Sequence, residues 1–516
     1  MMNFISLILI VVCVLLGTVG SSSSYKKDAN HASITIDTKD IIGETDDAYI
    51  CVTLDYFTFI PEDVQISIFH LDLNNTILKN AVKAFSPLRL RVGGTLEDEL
   101  TYETVGQKEP CLPFAQNTTY TLFGFSKGCL SLSRWDQLNN FFNETGVEVM
   151  FGLNALYGKK VINSLAMGPW DSSNAKSLIK YSFNKGYNNL IGWELGNELS
   201  GAGVGATILA DQYAKDVASL QNVLEEIYKG SNKNPIVAAP GGFFNAPAWF
   251  SEFINKTAKT LPVITHHVYN LGPGEDEHLM ERALDPTFLD TLNPVFRDLQ
   301  NMLKSAGSIT VAWVGEAGGA WHGGRHLVTD SFVSGFWYLD QLGMAASYNT
   351  KTFCRQALIG GHYGLLNTTT FVPNPDYYSS LLWHRLMGKR VLQTKVYGPP
   401  KIRAYTLCSR QSGGITLLIL NIEDKAYEIS VSTQDGSITS SSKQGIKREE
   451  YHLTSPNGDY QSQTILLNGQ VLSLTSSNDI PQLEPQRVDS GKPIEVAPYS
   501  YVFVQFLGIF ALACKV

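Results

Sequence analysis

The feature that most constrains the fold is a regular alternation of short apolar runs with longer helical patterns between about residues 50 and 360. The runs are rich in β-branched residues, and the stretches between them repeat apolar residues every three to four positions. We find eight such runs, at 50–58, 88–93, 147–153, 190–196, 235–239, 262–269, 309–315 and 352–359. Strand and helix in alternation predict parallel strands joined by right-handed crossovers. Eight repeats favour a closed (β/α)8 barrel over an open doubly wound sheet.

After about Val391 the pattern changes to short alternating runs rich in Thr, Ser, Val and Gly. Strands without intervening helices are typical of a β-sandwich. The runs are 415–421, 427–432, 449–453, 464–467, 471–474 and 501–507. We therefore predict an α/β fold with a (β/α)8 TIM barrel at 49–388 and a C-terminal β-sandwich domain at 389–516. In the N-terminal segment 25–48, residues 33–37 are a candidate strand of the same sandwich.

Residues 1–24 are predicted to be a secretory signal peptide. The apolar stretch from Phe4 to Leu16 is too short to span a bilayer, and a tract of small residues follows it. No Lys or Arg precedes the stretch, which leaves an uncleaved anchor as the alternative. No later segment is predicted to span a membrane, because Gln505 and Gly508 interrupt the apolar C-terminal end. We expect a protein of the secretory lumen or of the extracellular space, apoplast or vacuole.

Cysteine and asparagine patterns point to the same compartment. Without Cys13, an even set of cysteines remains, at Cys51, Cys111, Cys129, Cys354, Cys408 and Cys514. Six cysteines allow 15 pairings, and spacing alone does not select one. Candidate N-glycosylation sequons occur at Asn74, Asn117, Asn143, Asn255 and Asn367.

The charge balance limits the partners. The chain has 40 Lys and Arg against 48 Asp and Glu, a formal net charge of -8. No overall positive field is present to attract nucleic acid or another polyanion, so we predict neither as a partner. The sequence leaves the oligomeric state open.

Two glutamates are the candidate catalytic residues, because the active site of a TIM barrel lies at the C-terminal ends of its strands. The fourth run ends in the loop that holds Glu198, and the seventh ends at Glu316. Two carboxyl groups facing one cavity are what the hydrolysis of an acetal needs: one protonates the leaving oxygen, and the other attacks the anomeric carbon or activates water. A single glutamate at a strand end is more often the partner of a buried arginine; two in matching contexts favour catalysis.

A third glutamate, Glu194, competes with Glu198 for the catalytic role. Glu194 lies inside the fourth run, whereas Glu198 opens the loop, so we assign Glu194 to an ion pair in the barrel interior. Asn197 supplies an amide that can bind a sugar hydroxyl beside the cleaved bond.

Other chemistries are less well supported. The glycine-rich segment 201–206 imitates a dinucleotide fingerprint, with acidic residues at 225–226, but intervening residues separate it from the strand. No G-x-S-x-G elbow of a serine hydrolase occurs. His266 and His267 are neighbours in a strand, so they point to opposite faces and cannot chelate a metal together. We predict no metal and no cofactor. Tyr269 is a candidate to hold the nucleophile's carboxylate ionised by hydrogen bonding.

Five sequence blocks resemble glycoside hydrolase family 79, the heparanase-like glucuronidases. The blocks are LRLRVGGT (88–95), GWELGNEL (192–199), THHVYNLG (265–272), AWVGEAGGAWHGG (312–324) and FCRQALIGGHYGLL (353–366). They are spread through the barrel, and the resemblance extends over nearly the whole mature chain.

The resemblance implies a retaining β-glucuronidase with Glu198 as acid/base and Glu316 as nucleophile. It implies a sugar site lined by Asp55, Thr95, Asn197 and His266. It further implies that the backbone of His322 and Gly323, together with Tyr363, receives the glucuronic carboxylate. By the same resemblance, Cys408 pairs with Cys514 and Cys111 pairs with Cys129; the pairing of Cys51 and Cys354 stays open. Val268 stands where mammalian heparanases have a tyrosine.

The expected substrate is a small-molecule or oligosaccharide glucuronide, cleaved by exo action. Few cations lie in 97–132, which argues against a polyanionic glycan and favours flavone glucuronides such as baicalin. Aromatic residues of the predicted cleft loops could stack on such a ring. They are Tyr56, Phe57, Phe59, Trp170, Phe243, Phe244 and Trp321. The alternatives are a glucuronidase of cell-wall or proteoglycan glycans, including an endo-acting one, and a catalytically inactive carbohydrate-binding protein.

Overall fold

The computed structural model describes residues 30–56, 67–115, 125–411, 414–434, 436, 447–507, 509 and 511–515. The predicted signal peptide, Phe57, Phe59 and the sequon at Asn117 lie outside these residues.

A closed barrel of eight parallel strands forms the larger part of the structure. One strand, β1 (Asn30–Glu44), precedes it in the chain. The barrel strands are β2 (Ile50–Asp55), β3 (Arg89–Gly93), β4 (Glu148–Leu153), β5 (Leu190–Leu195), β6 (Ile236–Phe243), β7 (Val263–Val268), β8 (Val311–Ala317) and β9 (Thr352–Arg355). Each pairs with the next, and β9 returns to β2. All eight apolar runs form these strands, so the predicted (β/α)8 fold is confirmed.

Helices cover the outside of the barrel, which explains why its strands are apolar on both faces. They are α1 (Thr76–Lys83), α2 (Leu132–Thr145), α3 (Ser173–Lys185), α4 (Ala210–Tyr228), α5 (Pro247–Thr257), α6 (Leu279–Ala283), α7 (Pro286–Leu289), α8 (Asn293–Ser305), α9 (Ser334–Ser347) and α10 (Pro375–Leu386). Local sequence sets their ends. Ser131 caps α2 by accepting a hydrogen bond from the backbone of Arg134 at 3.2 Å, and Gly146 ends it at a φ of 70°.

The C-terminal region forms one 11-stranded sheet that includes β1. Its further strands are β10 (Met387–Tyr397), β11 (Ile402–Ser409), β12 (Ile415–Asn421), β13 (Tyr427–Thr433), β14 (Lys447–Thr454), β15 (Leu466–Leu467), β16 (Gln470–Val471), β17 (Gln486–Asp489), β18 (Ile494–Val496) and β19 (Ser500–Phe506). The order is β16-β15-β14-β19-β12-β11-β10-β1-β13-β18, and β17 pairs with β14. Strand β1 lies antiparallel to β10 and parallel to β13, so residues 33–37 do join this sheet.

The sheet folds over itself and also packs on the barrel. Buried residues of β1, β13 and β18 form one hydrophobic cluster with those of β11, β12 and β19, as in a sandwich. Strand β12 is buried on both faces: Leu417 points into this cluster, whereas Leu418 belongs to the core shared with the barrel. Tyr501 of β19 stacks on Phe332 at 4.6 Å between ring centroids. The second domain therefore rests on the segment that leads into α9.

Three disulfides join the six cysteines that follow the predicted signal. Cys408 bonds to Cys514 and Cys111 bonds to Cys129, which confirms the two pairings that the family resemblance implies. Cys51 bonds to Cys354 and joins the first and last strands of the barrel.

The exposure of the sequon asparagines and the lengths of the helices are relevant to the predicted compartment. The sequon asparagines Asn74, Asn143 and Asn255 are exposed, and Asn367 is half-buried. Within the described ranges, no helix has the length and apolarity needed to cross a membrane.

Candidate active site

A cavity of about 490 Å³ opens at the C-terminal ends of the barrel strands. It is lined by Asp55, Tyr56, Gly94, Thr95, Leu96, Phe125, Glu198, Val204, Phe243, Tyr269, Glu316, Trp321, His322, Gln356 and Tyr363. Seven of the site residues that the sequence suggests are in this set: Asp55, Thr95, Glu198, Tyr269, Glu316, His322 and Tyr363. The cavity is therefore built from the loops after most of the strands, as in other barrels of this type.

The two candidate glutamates face the same cavity. Glu198 follows β5 with a backbone φ of 56°, and its N–H donates to the carbonyl of Gly241 at 2.6 Å. Glu316 lies in β8. One carboxylate oxygen of each glutamate and a ring nitrogen of His267 all lie within 4.8 Å of one another. Two residues far apart in the sequence thus form one pair of carboxyl groups.

Arg91 of β3 connects the groups behind this pair. Its Nε donates to Glu194 at 2.7 Å, its Nη1 to Glu316 at 2.8 Å, and its Nη2 to the amide oxygen of Asn197 at 2.9 Å. The side chain is buried, and Glu194 is fully buried as the ion-pair partner that the sequence suggests. Glu97 lies 3.7 Å from the same guanidinium. A single cation therefore contacts three carboxyl groups, those of Glu194, Glu316 and Glu97.

Glu316 is held as a hydrogen-bond acceptor. The hydroxyl of Tyr269 donates to its Oε1 at 2.5 Å, while Arg91 donates to its Oε2. Donors on both oxygens hold the carboxyl group in one orientation, toward the cavity.

Glu198 lies in the opposite environment. Burial raises its pKa to about 7, although Arg91 opposes the shift. Its Oε1 is 2.9 Å from Nδ1 of His267, and burial lowers the pKa of that imidazole to about 4. The histidine is therefore neutral near neutral pH, so Glu198 has no cation at this contact. The two glutamates therefore lie in different environments, as an acid and a nucleophile in one site require.

The expectation that His266 lines the sugar site is wrong, because His267 takes the inner face of β7. His267 is paired across the sheet with Glu316. His266 points outward and packs against Phe296 of α8, with 5.7 Å between ring centroids. Side chains alternate along a strand, so only one of two adjacent histidines can reach the cavity. The sequence shows the alternation but not which residue faces inward.

Asp98 is a positioning residue that we did not identify from the sequence. Its two carboxylate oxygens accept hydrogen bonds from the backbone N–H groups of Ala155 at 2.7 Å and Asn197 at 2.8 Å. It thereby ties the loop after β4 to the loop that carries Asn197 and Glu198. Burial raises its pKa to about 7.

Gln356 is a second residue that sequence reasoning missed. Its amide donates to Asp55 at 2.6 Å and lies 3.4 Å from the Tyr363 hydroxyl, while Thr53 donates to its carbonyl oxygen. The other oxygen of Asp55, Oδ1, is buried without a hydrogen-bond partner in the described structure. Gln356 thus orients two of the cavity's polar groups.

Part of the cavity lining is apolar. The apolar lining residues include Leu96, Phe125, Val204, Phe243 and Trp321. Among the aromatic residues that the sequence suggests, Tyr56, Phe243 and Trp321 line the cavity. Trp170 instead donates to the carbonyl of Asn154, and Phe244 packs on Phe250.

Among the residues that the structure describes, two groups of side chains have donors that could hold a metal ion. The first is Glu198, His267 and Glu316, but the guanidinium of Arg91 already neutralises Glu316 at 2.8 Å and disfavours a second cation there. The second is His326, Asp330 and His362, outside the cavity lining. The glycine-rich segment 201–206 lies in the loop after β5, where Val204 lines the cavity, and not in a tight turn of a nucleotide fold.

Comparison with known proteins gives concordant matches. Residues 31–343 match the family model described as "Glycosyl hydrolase family 79, N-terminal domain". The chain is 48% identical to heparanase-like protein 3 of Arabidopsis thaliana over 92% of each chain, and 45% identical to baicalin-beta-D-glucuronidase of Scutellaria baicalensis over 90% of each. A crystal structure of a 4-O-alpha-L-rhamnosyl-beta-D-glucuronidase from Fusarium oxysporum superposes with a TM-score of 0.64 at 14% identity, covering 92% of this chain and 99% of that one. The last match shows the fold alone.

The shared use of Arg91 predicts how its loss acts. Arg91→Met should lower the free energy of unfolding by about 3 to 5 kcal/mol at pH 7, because it leaves buried carboxylates without a cation. Burial raises the pKa of Glu97 well above its usual value and Arg91 opposes that shift, so without Arg91 the folded variant binds more protons than the folded wild type does. Its deficit should therefore shrink as the pH falls toward 4.

Chemical denaturation of both proteins at several pH values measures this difference. Arg297→Met is the control, because Arg297 is exposed and pairs with the neighbouring Asp298 on the surface. A deficit that stays constant between pH 4 and 7 would contradict the electrostatic explanation.

Proposed function

The chain belongs to glycosyl hydrolase family 79, and we propose that it is a retaining β-glucuronidase acting on glucuronides of small apolar aglycones. It is a glycoside hydrolase by family. The observation that carries the proposal is the pair of glutamates in one cavity, with carboxylate oxygens within 4.8 Å and with opposite environments. Retaining enzymes place their carboxyl groups about 5 to 5.5 Å apart, whereas inverting enzymes need roughly 6.5 to 9.5 Å.

In the first step, Glu316 attacks the anomeric carbon. A bond forms between this carbon and a carboxylate oxygen of Glu316, the bond to the aglycone oxygen breaks, and Glu198 gives its proton to the leaving oxygen. In the second step, Glu198 takes a proton from water, the water oxygen bonds to the anomeric carbon, and Glu316 leaves. Arg91 and Tyr269 support the ionised nucleophile, and the buried position of Glu198 keeps it protonated at the start.

Selection of the glucuronic carboxylate rests on the loops after β8 and β9. We assign this role to the backbone of His322 and Gly323 and to the hydroxyl of Tyr363. His322 and Tyr363 line the cavity, and Gly323 directly follows His322. Backbone N–H groups and a phenol bind a carboxylate by hydrogen bonds without a full positive charge.

The leaving group should be planar and apolar, as in a flavone glucuronide. Among the cavity-lining residues that the structure describes, none is Lys or Arg. A sulfated, polyanionic glycan would need such counter-charges along its length, and the chain's net charge of -8 opposes its approach. Phe243 and Trp321 present aromatic surface instead, and Trp321 is 39% exposed.

We also propose that the protein works outside the cytosol, in the secretory lumen or the extracellular space. The three disulfides, the exposed sequon asparagines and the apolar N-terminal sequence support this location.

Removing the nucleophile tests the mechanism directly. Glu316→Gln should lower turnover of an aryl β-glucuronide by at least 10⁴-fold and leave the circular dichroism spectrum unchanged, because glutamine still accepts a hydrogen bond but cannot form the glycosyl ester. Glu226→Gln is the control, since this exposed residue pairs with Lys176 on the surface.

In the wild type, NMR should detect the β-anomer of glucuronic acid as the first product. Unchanged turnover in Glu316→Gln refutes its role, and α-anomer as the first product refutes retention.

The pH dependence tests the role of Glu198. With its pKa raised to about 7, the acid form is lost as the pH rises through 7, so kcat/KM should fall about tenfold per pH unit above that value. Glu198→Gln should lose this limb, and its activity should drop about 10² to 10⁴-fold for a poor leaving group but much less for 4-nitrophenol, which leaves without protonation. If kcat/KM of Glu198→Gln still falls above pH 7, another residue is the general acid.

A substrate panel tests the aglycone. We expect a flavone glucuronide to be cleaved with a higher kcat/KM than the matching flavone glucoside or a heparan sulfate fragment. Trp321→Ala should raise KM for the flavone glucuronide and leave KM for methyl glucuronide within about twofold. The reason is that only the larger substrate reaches the side chain of Trp321. Preference for the glucoside would show that the carboxylate site is misassigned, and preference for the glycan would favour the heparanase-like alternative.

A further inference from the structure

A cluster of metal-type donors lies beside the loops of the cavity and plays no part in the mechanism above. His326 and Asp330 follow β8, and His362 follows β9. One donor atom of each lies within 4.8 Å of those of the other two. The strand connections bring His362 beside a histidine and an aspartate that lie four positions apart in the sequence.

Asp330 is the fixed member of this cluster. It is buried, and its Oδ1 accepts a hydrogen bond from the backbone N–H of Leu327 at 2.6 Å. Its Oδ2 accepts from Nδ1 of His326 at 2.8 Å and from the amide of Gln463 at 3.0 Å. Gln463 belongs to the C-terminal domain, so both domains orient this carboxylate. Hydrogen bonds of this kind around a ligand fix its direction before a metal arrives.

The two imidazoles leave the cluster open to solvent. His326 is exposed and His362 is half-buried, and their ring centroids are 5.5 Å apart. Two imidazole nitrogens and one carboxylate oxygen form a donor set that suits zinc and similar ions, whereas magnesium and calcium prefer all-oxygen sites. The open side leaves room for water as a fourth ligand.

We propose that His326, Asp330 and His362 form a binding site for a divalent transition-metal ion of the zinc type. When the ion binds Nδ1 of His326, the proton that this nitrogen donates to Asp330 passes through solvent to Nε2, so the imidazole stays neutral. The nitrogen and oxygen then separate from 2.8 Å to about 3.3 Å, the spacing of ligands in tetrahedral zinc sites. The site does not depend on the proposed glucuronidase activity.

An ion at this position joins two loops that line the cavity. The backbone N–H of His362 donates to the carbonyl of Gly323 at 2.6 Å, next to His322, and Tyr363 follows His362 in the chain. Thr329 also donates to the carbonyl of His362 at 2.8 Å. Metal binding therefore stabilises the contact between the loops after β8 and β9.

The test measures zinc binding by equilibrium dialysis and by thermal unfolding, after treatment of the full chain with chelator. We expect one zinc ion per chain, and a rise in the unfolding temperature with zinc but not with magnesium. Zinc binding should be at least tenfold weaker at pH 5 than at pH 7.5, because protonated imidazoles do not bind metal. His326→Gln and His362→Gln should each weaken binding at least tenfold while the circular dichroism spectrum stays unchanged.

His278→Gln is the matched control, because His278 is an exposed histidine that also contacts a carboxylate, that of Glu281 at 2.9 Å. This variant should bind zinc as the wild type does. The proposal is overturned if the wild type binds no stoichiometric zinc, or if His326→Gln and His362→Gln bind as tightly as His278→Gln. It is also overturned if binding is lost in Glu316→Gln but kept in the two histidine variants, since the ion would then lie in the catalytic cavity.

Discussion

The guanidinium of Arg91 is the group on which the catalytic end of the barrel depends. It donates to two glutamates and to an asparagine that come from the ends of two different strands, β5 and β8. A buried carboxylate without a cation or hydrogen bonds costs several kcal/mol, so these side chains can share the barrel interior only around Arg91. Space for the cluster comes from Gly93 and Gly152, where a Cβ atom would collide with Arg91 and Glu97. Charge compensation and glycine placement therefore act together.

The contacts around Arg91 also place the two candidate catalytic glutamates in different environments. Glu316 receives two strong donors, whereas Glu198 is buried beside a neutral histidine. Glu198 adopts a positive φ, which residues other than glycine rarely do, and hydrogen bonds on both sides of it hold that conformation: its N–H donates to Gly241, and its carbonyl accepts from Val204 at 2.7 Å. Strain of this kind is kept at sites where a side chain must point in one direction.

The C-terminal sheet packs on the barrel and also contacts the loop after β8. Its strand β19 packs against the segment that leads into α9, and Gln463 reaches the carboxylate of Asp330. Both contacts bear on the loop after β8, which also carries Trp321 and His322 of the cavity. The second domain is thus placed to support the loop that carries Trp321 and His322.

The sequence by itself determined the eight barrel strands, the β-rich second domain, the strand near residues 33–37 and the two glutamates at strand ends. These follow from local periodicity and from the rule that barrel sites lie at the C-terminal ends of strands. Only the tertiary structure decided that His267 rather than His266 faces inward, that Arg91, Asp98 and Gln356 orient the site, and that Cys51 meets Cys354. It also brought His326 and His362 together. Those contacts join residues from separate strands and loops, and they depend on register and on loop paths that a periodic pattern does not encode.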